Sequence, residues 1–157
     1  VGFLLMVPLL LPGSGNSTHN RAQTDFLDVG QGLAVLVGNR DYLLVYDTGP
    51  GNGRSGEDGW DMVRGTIQPM IVARGRSPDV LVVSHADLDH AGGLHRLRQL
   101  FPQMEILASL PVLPKGLHRC RSPGQWSAAG FEFQVLHCSS SFRNLDIVLA
   151  IFSLSDS

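Results

Sequence analysis

The feature that most constrains this chain is a junction: the apolar run Val80-Leu81-Val82-Val83 breaks off into Ser84-His85-Ala86-Asp87-Leu88-Asp89-His90-Ala91-Gly92-Gly93. A β-branched run that ends so abruptly predicts a buried strand. The polar cluster then sits at the strand's carboxyl end, and Gly92-Gly93 lets the backbone turn tightly beside it before a helix begins. Four metal-capable side chains, His85, Asp87, Asp89 and His90, fall within six residues. One or two carboxylates there would read as a solvated loop. Two histidines interleaved with carboxylates read as a ligand set, against the plainer alternative of a loop with satisfied histidines. Nitrogen and carboxylate donors without sulfur suit borderline to hard divalent ions.

The rest of the chain is consistent with one domain built around that junction. Its 157 residues hold one core and hardly two, and 43% hydrophobic with 17% charged residues is ordinary for a globular protein. A formal charge of −2 argues neither for nor against a nucleic-acid partner. The two cysteines, Cys120 and Cys138, are compatible with one disulfide or with two thiols, and leave the redox compartment open. Val1 to Pro12 is an uncharged apolar run, shorter than the roughly 20 residues that span a bilayer. It fits a signal-peptide core, a core element of the domain, or the end of a membrane helix, and Pro8 suits the last. Gly13 to Gln23 is polar and reads as a linker, with His19 as an exposed loop histidine.

Thr24–Val29, Leu33–Val37 and Tyr42–Tyr46 are short strand patterns separated by Gly30-Gln31-Gly32 and by Asn39-Arg40-Asp41, which predicts an antiparallel meander. Gly30-Gln31-Gly32 precedes a strand and not a helix, so it is no dinucleotide-binding loop. Asp47-Thr48-Gly49 ends the third strand and opens a glycine-rich loop to Gly59, expected to form one wall of a cleft. Pro69 starts a short helix that runs to Arg74 and stops at Gly75. Leu94, Leu97, Leu100 and Phe101 recur at helical spacing, with His95, Arg96 and Arg98 off that stripe. Glu105–Ala108, Phe131–Leu136 and Asn144–Phe152 are further strand candidates. Between the first two lies a loop with local positive charge, containing Lys115, His118, Arg119 and Arg121.

Three ordered stretches carry a resemblance: Phe26-Leu27-Asp28-Val29-Gly30-Gln31-Gly32, Leu44-Val45-Tyr46-Asp47-Thr48-Gly49, and His85-x-Asp87-x-Asp89-His90. Over about residues 24 to 137 the chain resembles the metallo-β-lactamase superfamily. With Asp87 where a histidine is usual, it resembles the carboxyl-terminal domain of ComEC-type competence proteins, the inner-membrane channels that take up transforming DNA. The resemblance implies an α/β fold, an incomplete αββα sandwich preceded by the end of a membrane helix. The layout would be residues 1–12 as that helix end, 13–23 as the linker, and 24–157 as the amino-terminal part of the metallo-β-lactamase-like domain.

The same resemblance implies a metal-dependent hydrolase, a DNA phosphodiesterase or nuclease. It would work with two divalent ions (Mn²⁺ or Zn²⁺) in the complete domain. His85 and Asp87 would hold one ion, Asp89 and His90 the second. Asp89 would also be the catalytic residue that orients the attacking water. Asp47 and Asp28 would support the ligands from behind, with Asp28 and Gln31 near the metal cleft. DNA, the membrane and other competence proteins are the implied partners, with the soluble domain on the periplasmic side of a bacterial inner membrane. The departure is downstream. Superfamily members add further ligands there, whereas His95, His118 and His137 stand in no matching context, nor do Asp146 and Asp156. Two other readings therefore stay open: a superfamily hydrolase of small esters or thioesters, and a truncated remnant without activity.

Overall fold

Val80–Val83 is a strand buried on both faces, and the molecule is layered around it. In this computed structural model the described residues are 21–53, 59–108, 118–119, 124–138 and 147–153. The expected membrane-helix end, most of the linker with His19, residues 54–58 of the glycine-rich loop, most of the charged loop, Cys120, Asp146 and Asp156 lie outside them.

The larger sheet has six strands in chain order: β1 (Gln23–Phe26), β2 (Val35–Gly38), β3 (Leu43–Tyr46), β4 (Val80–Val83), β5 (Glu105–Ala108) and β6 (His118–Arg119). The first three pair antiparallel, as the turn residues predict, and Asn39 Oδ1 closes the β2–β3 turn by accepting from the N–H groups of Asp41 and Tyr42. From β3 onward the pairing is parallel. The crossovers from β3 to β4 and from β4 to β5 run through helices, as parallel pairing requires: α1 (Gln68–Ala73), entered through a π-helical turn at Val63–Ile67, and α3 (Leu94–Leu100). A separate antiparallel sheet contains β7 (Gly124–Ala128), β8 (Phe131–Cys138) and β9 (Ile147–Ser153).

Two cores explain the unbroken apolar strands. Leu36, Leu43, Val45, Leu81 and Val83 face the helices and pack with Val63, Ile67, Ile71 and Leu97. Val35, Val37, Leu44, Val80 and Val82 face the second sheet and pack with Phe131, Phe133 and Val135. A strand sandwiched this way reads as continuous hydrophobicity. Each such side chain contributes about 1.5–3 kcal/mol when fully buried. Trp126 stacks on Phe133 with ring centroids 4.7 Å apart and donates to the Tyr42 hydroxyl. Among the described residues the order of layers is helices, sheet, sheet. No helix among them is long and apolar enough to cross a membrane.

The structure corrects three details. A helical turn, α2 (Leu88–Ala91), begins before Gly92-Gly93, so Asp89 and His90 stand on a helix and not on the preceding loop. Extended Asp87 starts it, and the Asp87 carbonyl accepts from the N–H groups of His90 and Ala91. Strand β7, without any β-branched residue, was not legible in the sequence. Arg96, placed off the apolar stripe, is buried: its Nε lies 3.3 Å from Asp61 Oδ2 in an ion pair nearly closed to solvent.

Candidate metal centre

The carboxyl ends of parallel β3 and β4 lie side by side, the usual place for chemistry on such sheets. Asp47, the residue after β3, has φ +59, a backbone conformation that L side chains rarely adopt and Asp tolerates better than most. That turn puts its carboxylate, 0% exposed, beneath the end of β4. There Asp47 Oδ1 accepts from the Ser84 backbone N–H at 2.7 Å, and Oδ2 accepts from Ser84 Oγ and from His90 Nδ1, each at 2.7 Å. Burial pushes the Asp47 carboxyl above its ordinary value, while the bonds from His90 and Ser84 pull against that rise.

This network fixes both histidine rings. His90 Nδ1 carries the hydrogen given to Asp47. Ser84 Oγ spends its own hydrogen on Asp47 and lies 2.9 Å from His85 Nδ1, so it accepts from that ring. In both rings Nε2 is then left with its lone pair. The rings lie 3.9 Å apart, centroid to centroid. Ligand atoms of His85, Asp89 and His90 come within 4.8 Å of one another. Two ring nitrogens oriented from behind and one carboxylate form a donor set that fits a divalent cation with mixed nitrogen and oxygen preference.

Asp87 does not join that group of three. Its side chain is 78% exposed, and Oδ2 lies 3.6 Å from His85 Nε2. Asp28 bonds locally, accepting from the Gly30 N–H, and lines an open cleft of about 1190 Å³ together with Gln31, Pro50, Trp60, Met62 and Asp89. His95 lies beside Gln99 on α3, and His137 stands exposed on β8. The expected cleft near Gly30-Gln31-Gly32 is therefore present.

Sequence reasoning missed the residues that hold the ligand turn in place. Thr48 accepts from the Gly93 N–H with Oγ1 and donates that hydroxyl to the His90 carbonyl. Gly32 has φ +146, and a Cβ there would sit 2.3 Å from the Asp89 carbonyl oxygen. Gly51 and Gly92 press backbone on backbone, and the Gly51 N–H donates to the Leu88 carbonyl. From the other sheet, Ile147 donates its N–H to the Ser84 carbonyl and accepts from the Tyr46 hydroxyl. A Ser or Thr beside a ligand carries no motif of its own. Only the folded contact reveals these roles.

Replacing Asp47 by Asn should weaken divalent-ion binding about 10–100-fold, because the amide N–H₂ cannot accept from His90 and frees its ring to turn. Isothermal titration with Mn²⁺ and Zn²⁺ measures this. Unchanged affinity would show that the ring is held by something other than Asp47.

A fold with layered sheets, helices on one face and a His/Asp ligand turn after a central parallel strand defines a class. Residues 27–111 match the metallo-beta-lactamase superfamily, and the chain belongs to it. Within that class it is 34% identical over 116 residues to Recombination protein 2 of Haemophilus influenzae, covering 73% of this chain and 14% of that protein. It is likewise 34% identical over 134 residues to Competence protein ComA of Neisseria gonorrhoeae, covering 84% of this chain and 17% of the relative. The resemblance to ComEC-type competence proteins thus holds, although the chain spans less than a fifth of the length of these two relatives. Among solved structures, the metallo-beta-lactamase fold protein YhfI of Bacillus subtilis superposes with a TM-score of 0.55 at 14% identity, covering 86% of this chain and 60% of that one. That likeness supports the fold.

Proposed function

We propose that this chain carries the metal-binding turn of a DNA phosphodiesterase that serves uptake of transforming DNA. The observation that carries the reading is the convergence of His85, Asp89 and His90, with both rings tied from behind by Asp47 and Ser84. The competence relatives point to DNA as the substrate class. A bound divalent ion, Mn²⁺ or Zn²⁺, supplies Lewis-acid polarisation of the scissile group and a more acidic water. His85 and His90 offer Nε2 to it. Asp47 keeps the His90 proton at Nδ1, and Ser84 does the same for His85. Asp89 would help hold the ion and would orient the attacking water through its carboxylate. Exposed Asp87, 3.6 Å from His85 Nε2, would join His85 in holding one ion of the complete domain, and Asp28 lines the approach.

In this reading the domain lies on the periplasmic side of a bacterial inner membrane with other competence proteins. The disulfide engaged by Cys138 supports an oxidising compartment. The test is cleavage of circular single-stranded DNA by the chain with Mn²⁺ or Zn²⁺ added. Cleavage that EDTA abolishes and excess Mn²⁺ restores is the expected result. Hydrolysis of a small thioester with DNA left intact would transfer the reading to the small-substrate alternative.

A further inference from the structure

Trp60 is an unusual residue to leave in the open. Its side chain is among the exposed large hydrophobics at 58%, and it lines the same cleft as Asp89, Gln31 and Asp28. The other tryptophan, Trp126, packs against Phe133 between the sheets.

Trp60 is also held firmly relative to the ligand turn. Its N–H donates to Asn52 Oδ1 at 3.1 Å and its carbonyl accepts from the Asn52 N–H at 2.8 Å. Next to Asn52, Gly51 donates to the Leu88 carbonyl at 3.1 Å, so the segment is pinned to the helical turn that carries Asp89 and His90. On the other side of Trp60, Asp61 pairs with buried Arg96, and the Met62 N–H donates to the Pro50 carbonyl. These bonds fix the backbone that carries the indole relative to the ligand turn. A side chain on an anchored backbone has less freedom to lose when a ligand covers it.

We propose that Trp60 is a stacking platform for one unpaired nucleobase of a DNA strand whose phosphodiester lies at the metal centre. The proposal rests on the phosphodiesterase reading and adds to it the residue that holds an unpaired base. Stacking suits a sequence-tolerant enzyme, because every base presents a π-face to the indole. Paired bases in a duplex have both faces covered and cannot use it. The amide of Gln31 and the carboxylate of Asp28, in the same cleft, offer hydrogen-bonding groups to the base edge.

The experiment uses the whole chain with Mn²⁺ and oligomers joined by cleavage-resistant phosphorothioate linkages, so that the metal centre is kept and nothing is cleaved. Fluorescence anisotropy compares a labelled oligothymidylate with an oligomer of equal length made of abasic sites. Both carry the same linkages, so their affinity ratio isolates the bases. The chain should bind the thymidylate about tenfold more tightly than the abasic oligomer. Trp60→Ala should bring that ratio close to one, and Trp60→Phe should keep most of it. A ratio unchanged in Trp60→Ala, with both oligomers still bound, would overturn the platform and leave the phosphodiesterase reading standing. Failure to bind either oligomer, together with metal-dependent hydrolysis of a small ester, would overturn both.

Discussion

In the phosphodiesterase proposed above, Asp89→Ala is expected to lower Mn²⁺-dependent cleavage of single-stranded DNA about a thousandfold, with a thermal midpoint within about 2 °C of the parent. The two halves of this expectation have separate causes. Asp89 is the second residue of α2, its side chain is half exposed, and Ala is a good helix former there. Its structural contact is made by the backbone, since the Asp89 carbonyl accepts from the Leu33 N–H whatever the side chain. Removing the carboxylate therefore leaves the fold alone. It removes the carboxylate from the group of three and leaves only the His85 and His90 nitrogens as donors there. Cleavage rate, Mn²⁺ titration and thermal melting on one preparation separate the effects. Activity within tenfold of the parent would mean that another carboxylate, Asp87 or Asp28, does this work.

The largest stability effect is expected far from any motif. Asp61→Ala should destabilise the metal-free chain by about 3–5 kcal/mol in urea denaturation, the scale for stripping one partner from a buried ion pair. The Asp61 and Arg96 side chains are 4% and 9% exposed, so neither charge is hydrated well enough to stand alone. Asp61 also accepts from the Val63 N–H at 3.0 Å, where the π-helical turn starts. Adding Arg96→Met to Asp61→Ala should recover most of the loss, because the stranded charge goes with it. About 1 kcal/mol should remain for the lost bond to Val63. A single-mutant effect under 1 kcal/mol would show that water reaches this pair.

What could be read beforehand follows a physical pattern. The run Val80–Val83 and the cluster after it were legible because burial on two faces and ligand density each leave a local trace. The meander of β1 to β3 was legible because Asn39 and the glycines announce turns. Asp61–Arg96 left no trace: the partners are distant in sequence, and an arginine beside a leucine stripe ordinarily faces water. Ser84 and Thr48 were equally silent, since hydroxyls become structural only when a carboxylate or carbonyl meets them. The helix expected after Gly92-Gly93 is α3, but the extra turn α2 before it was missed, because the extended backbone of Asp87 that starts it leaves no mark in the sequence.

The bond from Ile147 to the Ser84 carbonyl also bears on time. During synthesis every candidate ligand leaves the ribosome well before β9 exists. The nascent chain therefore holds His85, Asp89 and His90 in order while the residue just before them still lacks its anchor. Closing that long loop comes late and is entropically slow to arrive at. The Ser84 carbonyl thus gains its partner only after β9 has been made and has docked against the larger sheet.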